Sequence, residues 1–195
     1  MKRIALAATA VAAVAALALS GCASDRGGSD EGTTEETTGF AADATIGVAL
    51  PDKTSENWVL AGALFEDGLS AAGFKPDVQY APASNTVAEQ QNQISAMVTN
   101  GAKVIVIGAK DGKQLGTQLQ QAADAGVKII AYDRLIENTP NVDYYVAFDN
   151  FKVGQLQGQA LLDGLAERSG HDAPWNIELF SGSPDDANSG AFFNG

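Results

Sequence analysis

The chain has a single cysteine, Cys22, and a single histidine, His171. One cysteine has no partner within the chain, so an internal disulfide is excluded. A zinc centre or a histidine-activated nucleophile has nothing to build on either, since each needs several imidazole, thiolate or hydroxyl groups placed together. His171 falls in a Gly/Asp/Pro loop, where a solvated side chain accounts for it. Neither G-x-G-x-x-G nor a P-loop follows any candidate strand, which leaves no cradle for phosphate. Basic residues are also scarce, 12 against 24 acidic, for a formal charge of −12. Such a surface repels nucleic acid and argues against strongly anionic ligands, and a solvated acidic face is its ordinary explanation. There is no internal repeat, and no apolar run is long enough to span a bilayer comfortably. Together these absences remove most of the support for an enzyme or a DNA-binding regulator.

What is present begins with a secretory signal. Met1-Lys2-Arg3 supplies the positive start, Ile4 to Leu19 is an Ala/Leu/Val run, and Leu19-Ser20-Gly21-Cys22 follows with small residues. That ending resembles the lipobox of bacterial lipoproteins, which implies cleavage after residue 21 and acylation of Cys22. Several acyl chains, each CH₂ contributing roughly 0.8 kcal/mol on burial, would anchor the protein at a membrane surface. A buried structural cysteine after an uncleaved helix is the competing account. Residues 22–43 then form a Ser/Thr/Glu/Gly tether, disordered by composition, with a reach on the order of 20–25 Å. Without Lys2 and Arg3 the balance is 10 basic against 24 acidic residues, or −14.

From Ala44 onward, β-branched runs alternate with helical periodicity. Strands are expected at 44–50, 78–80, 103–107, 127–132, 143–148 and 176–180. Helices are expected from about Ser55 to Gly73, after Ser84 to Asn100-Gly101, from Asp111 to Gly126, from Asp149 or Asn150 through Leu165, and starting again after Asn188. Strands separated by helices of ten or more residues make an α/β protein with a doubly wound parallel sheet.

Ligands of open α/β sheets sit beyond the carboxyl ends of the strands. Tyr132-Asp133-Arg134 stands there, directly after a buried run. On position alone, ligand contact and mutual pairing of Asp133 with Arg134 both account for the two charges. Asn57 and Trp58 follow the first strand, and Asp186 with Asn188 follows the sixth. Carboxylates, amides, an Arg fork and an indole suit a neutral polyhydroxylated ligand. Each residue also has a plainer use: Asp111, Asp149 and Asn150 as helix caps, Trp58 as a core anchor, and Asp186 with Asn188 as turn chemistry.

Five ordered stretches, Ile46–Leu50, Ser55-Glu56-Asn57-Trp58, Ala131–Ile136, Phe148–Gly154 and Ser181–Asn188, resemble periplasmic sugar-binding proteins of the xylose-binding and multiple-sugar-binding kind. The resemblance covers nearly all of 44–195. It implies a type I solute-binding fold, with 44–149 as most of the first lobe and 150–195 as the start of an incomplete second lobe. Carried over by position, Trp58 would stack on the sugar, Asp133 and Arg134 would hydrogen-bond it from the first lobe, and Asp186 with Asn188 from the second. Asn57 stands where the family often has Arg, which removes a cationic fork. Ala187 stands where Asn is usual.

The implied function is capture of an aldose by lobe closure and its delivery to an ABC permease. The protein would act as a membrane-anchored monomer outside the cytoplasm, with no cofactor and no nucleic-acid partner. A sugar or autoinducer receptor feeding a chemoreceptor or sensor kinase is the alternative. Contacts the family draws from later in the second lobe are absent from 1–195, so weak or no sugar binding is expected of this chain alone.

Overall fold

A computed structural model describes residues 39–84, 87–168, 170 and 173–195. The signal segment, Cys22, most of the tether and His171 lie outside the described residues.

Five parallel strands stand in the order β2-β1-β3-β4-β5. They are β1 (Thr45–Leu50), β2 (Lys75–Tyr80), β3 (Val104–Ile107), β4 (Lys128–Tyr132) and β5 (Tyr144–Val146). The α/β, doubly wound parallel architecture expected from the sequence is therefore present. Helix α1 (Glu56–Ala71) covers one face, while α2 (Val87–Thr99) and α3 (Gly116–Asp124) cover the other.

Alternation along the strands divides the core accordingly. Val48, Leu50, Val106, Ile130 and Tyr132 meet Trp58, Ala61 and Phe65 of α1. Ala49, Ile105, Ile107, Ile129 and Ala131 meet Ile94, Met97, Leu115 and Leu119. Because strands β1, β3 and β4 are covered on both faces, they read as continuous apolar runs rather than as alternating ones.

Three helices end by one device. Gly73, Gly101 and Gly126 adopt φ of 86°, 85° and 72°. The next residue's N–H then reaches back to a helix carbonyl: Phe74 to Leu69 at 2.9 Å, Ala102 to Met97 at 3.1 Å and Val127 to Ala122 at 2.9 Å. This pattern satisfies orphan carbonyls, needs a left-handed residue, and turns the chain into the following strand.

Two expectations need correction. Asp111 does not begin α3, which starts at Gly116 with Leu115 at its N-cap. Its carboxylate instead accepts from the Lys113 N–H at 2.8 Å and from the Gln114 amide, closing a local turn. The stretch 176–180 is not a strand. Its backbone has no neighbouring strand among the described residues, and Leu179 and Phe180 stay exposed, so apolar composition alone does not make a ladder. β2 is longer than expected, starting before Pro76, a residue that an edge strand tolerates.

After β5, Asp149 caps α4 (Asn150–Arg168), accepting the Lys152 N–H at 3.0 Å. Helix α5 (Ala187–Asn194) packs across α4 at Gly154, the one buried residue of α4, where a Cβ would collide with the Phe192 carbonyl. Leu156, Leu161 and Leu162 of α4 are exposed.

Gly154→Ala should separate these helices at an overpacking cost of about 1–3 kcal/mol. Amide exchange in 187–194 should accelerate while β1 and β3 keep their protection; unchanged exchange in α5 would show that the contact is not what holds it.

Candidate ligand-binding site

The strand order reverses between β1 and β3, because the chain leaves β1 towards β2 on one side and leaves β3 towards β4 on the other. Loops diverge at such a point and leave a crevice beyond the strand ends. Trp58 enters it from the first turn of α1. Arg134 enters from the exit of β4. The segment Gly108-Ala109-Lys110 lies between them.

Asp133 is the pivot of the β4 exit. Its φ of 63° is left-handed, a conformation that Asp tolerates better than most residues. Its N–H still donates to the Val146 carbonyl at 2.8 Å, so the ladder with β5 runs one residue past the strand. Its own carbonyl is turned outward, where the Tyr145 hydroxyl donates at 3.1 Å and the Asn188 side-chain amide at 3.3 Å. The same Asn188 Nδ2 lies 3.3 Å from the Asp133 carboxylate.

Arg134 meets three different groups. Its Nη1 donates to the Ala109 carbonyl at 3.1 Å, and its guanidinium carbon lies 5.5 Å from the centre of the Trp58 ring. Its Nε is 2.9 Å from an Asp186 carboxylate oxygen, close enough for an ion pair. That N–H is nevertheless buried and not aimed well enough to complete a hydrogen bond.

Asp186 caps α5 through the Asn188 N–H at 3.0 Å, so its second oxygen is held facing Arg134. Asn188 is buried, and its Oδ1 accepts from Asn150 at 2.8 Å.

Asp133, Arg134, Asp186 and Asn188 are thus brought into one cluster, with Trp58 against Arg134. Trp58 is buried, packs edge-on to Tyr132 at 6.2 Å, and gives a ring face to the guanidinium. Asn57, its neighbour, is exposed. Two participants have no reading as site residues in the sequence: the Ala109 carbonyl is a backbone atom and carries no sequence signal, and Tyr145 lies inside an expected strand. Asn150 stands among the polar groups after the fifth strand, with a helix cap as its plainer use. Gln90, which bonds the Gly108 carbonyl and the Lys110 N–H on either side of Ala109, stands at helical spacing among Val87, Ile94 and Met97, and a polar residue in that apolar series is a legible signal.

A cleft of about 280 Å³ opens beside the cluster, walled by Leu135 and Phe148 and rimmed by Tyr145, Asp149, Asn150 and Asn188. It lies just below the roughly 300–1,000 Å³ usual for ligand pockets, which favours a small ligand. A larger opening of about 640 Å³ lies between α4, α5 and the segment before them. It shares Asp186 and is lined by Leu161, Phe180 and Phe192 together with Gln157, Ser181 and Ser189. Among the described residues, no group of three or more Asp, Glu, His or Cys is placed to hold a metal ion.

Burial raises the pKa of the Asp133 carboxyl, the nearby Asp186 carboxylate adds to that, and Arg134 opposes it. Burial likewise raises the Tyr145 hydroxyl, with Asp133 and Asp186 adding to it.

The periplasmic binding protein domain family matches residues 46–195, and the chain belongs to that family. It is 51% identical over 157 residues to the multiple sugar-binding periplasmic receptor ChvE of Rhizobium radiobacter, covering 80% of this chain and 44% of that protein. It is 35% identical over 152 residues to the D-xylose-binding periplasmic protein of Escherichia coli, covering 78% of this chain and 43% of that one. Among solved structures it resembles an ABC transporter solute-binding protein from Clostridium phytofermentans with bound β-D-glucose, at a TM-score of 0.70 and 42% identity. That likeness covers 76% of this chain and 45% of the other. The chain therefore spans under half the length of these relatives. The relatives are named as receptors and binding proteins rather than as enzymes, in agreement with the absence of paired catalytic groups in the sequence.

Because Asp133 binds its proton more tightly in the folded state, its ionisation destabilises the fold. The penalty is absent below the unfolded-state pKa and complete once the pH has risen through the raised folded pKa. Asp133→Asn should therefore raise the melting temperature at pH 7. The gain should shrink as the pH falls through the carboxylate range, and thermal melts showing a pH-independent difference would contradict this.

Proposed function

We propose that this chain is the sugar-contacting portion of an extracytoplasmic solute-binding protein that captures a neutral monosaccharide for an ABC importer. The observation carrying this reading is the convergence of Asp133 and Arg134 from one strand exit with Asp186 and Asn188 from the start of α5, with a small cleft opening beside Asn188. Residues 44–149 form the first lobe and 150–195 begin the second, so the cluster joins the two. Sugar hydroxyls replace the contacts these side chains now make with one another. Asp133 and Asp186 accept, Arg134 donates from its planar fork, and Asn188 does both. Trp58, which the resemblance assigns to stacking on the sugar, is buried against Arg134 and Gly108 and backs the guanidinium from behind, and Asn57 is exposed beside it where the family often has an Arg fork.

Closure of the two lobes follows from ligand contacts made by both, since contacts available only when the lobes meet favour the closed state. Acylation of Cys22 would keep the protein at the outer face of the membrane as a monomer beside its permease, with residues 22–43 as tether. The acidic surface suits capture of uncharged sugars and disfavours nucleic acid.

Titration of a ¹⁵N-labelled full-length protein, in which a complete second lobe follows residue 195, with D-glucose, D-xylose and D-arabinose should shift the Arg134 Nε–H and Asn188 side-chain amide signals. Asp133→Ala should weaken the response by about ten- to hundredfold, the equivalent of one charge-assisted hydrogen bond. No shift with any aldose at tens of millimolar (roughly the range of the weakest specific sites), or an unchanged response in Asp133→Ala, would sink the reading.

A further inference from the structure

Gln90 is fully buried on α2, on the helix face that also carries Ile94 and Met97, and its polar atoms are spent on one short segment. Its Nε2 donates to the Gly108 carbonyl at 2.9 Å, with the Ala49 carbonyl at 3.4 Å. Its Oε1 accepts the Lys110 N–H at 2.8 Å. A buried amide and buried backbone groups are costly to leave unpaired, so helix and segment hold each other in a single geometry.

That segment is where the candidate ligand groups rest. The Gly108 N–H makes the last ladder bond to β1, to the Ala49 carbonyl at 2.9 Å, and beyond it the chain leaves the sheet. A Cβ on Gly108 would stand 3.0 Å from the Trp58 ring, so the bare backbone is the wall on which the indole lies. The Ala109 carbonyl takes the Arg134 guanidinium. The Lys110 ammonium, itself buried, reaches the Asp52 carboxylate at 3.3 Å and the Pro82 carbonyl at 2.9 Å, tying down the exit of β1 from which α1 brings Trp58.

We infer that Gln90 is a positioning residue for sugar recognition: it fixes Gly108-Ala109-Lys110 so that the Ala109 carbonyl sets Arg134, and Gly108 sets Trp58, where the sugar is met. The inference rests on the sugar-binding reading above and requires no contact between Gln90 and the ligand.

The test uses this chain with Gln90→Met, which keeps the shape and loses all three hydrogen bonds, and Gln90→Glu, which is isosteric and titratable. In both variants at neutral pH the Arg134 Nε–H and Trp58 indole signals should move, while those of β2 and α4 stay. Acidification of Gln90→Glu restores a donor to the side chain and should return both signals towards their original positions, which also keeps the test valid if Gln90→Met does not fold. D-Glucose affinity should fall by roughly tenfold in Gln90→Met, the effect expected of one misplaced hydrogen-bonding group. Movement confined to the Ala49, Gly108 and Lys110 amides, with Arg134 and Trp58 unmoved, would overturn the inference. If the unsubstituted chain does not respond to glucose, as expected of a chain without the later second-lobe contacts, the Arg134 and Trp58 signals still decide whether Gln90 positions them.

Discussion

The Arg134 guanidinium is the one positive group at the centre of a negative site, and the arrangement around it depends on that charge. Burial raises the Asp133 pKa, the Asp186 carboxylate adds to it by repulsion, and the Arg134 charge opposes both. Arg134 is in turn held by parts of different origin: a backbone carbonyl after β3, an indole from α1 and a carboxylate that caps α5. Removing the arginine would leave buried charge and an unpaired carbonyl, a larger loss than the ion pair itself supplies.

The site is satisfied only in part. The Arg134 Nε–H is buried near a carboxylate without a well-aimed acceptor, and the Asp133 carboxyl is held with its pKa raised. Groups of this kind cost stability in the folded chain and gain most when a hydroxyl-bearing molecule supplies the missing partners. The same feature separates this cluster from the Lys110–Asp52 pair. There the ammonium also has a carbonyl, and hydrogen bonds from Thr54 hold the Asp52 pKa below its ordinary value, with Lys110 contributing. One cluster is finished as structure, whereas the other is left short of donors and acceptors.

The scaffold explains why such tension can be held. β1, β3 and β4 are covered on both faces and meet the crevice at their carboxyl ends, so the groups placed there inherit the rigidity of the central sheet. Beyond β5 the support thins, as α4 buries only Gly154 and exposes three leucines. Asp186 and Asn188 therefore stand on a less anchored base than Asp133 and Arg134, and are tied across to the β4 exit by the hydrogen bonds of Asn188 and the ion pair of Asp186.

The sequence by itself determined the α/β architecture, because continuous β-branched runs and glycine-terminated helices have few other uses, and Gly73, Gly101 and Gly126 mark their turns directly. Asp133, Arg134, Asp186 and Asn188 were visible as polar groups after apolar runs, but only the resemblance to sugar-binding proteins singled them out from their polar neighbours. Residues 176–180 have the apolar composition of a strand without forming one, because a ladder depends on a neighbour. The sequence misjudged Asp111 because an Asp before a helix serves a cap and a local turn equally well. Only the tertiary structure decided that residues 133 and 188, 55 positions apart, share a hydrogen bond, that Arg134 pairs with Asp186 rather than with Asp133, and that Gln90 supports the segment beneath both Arg134 and Trp58. These depend on backbone carbonyls and on the left-handed turn at Asp133, and neither a carbonyl's direction nor a side chain's choice between two acceptors is written in residue type or spacing.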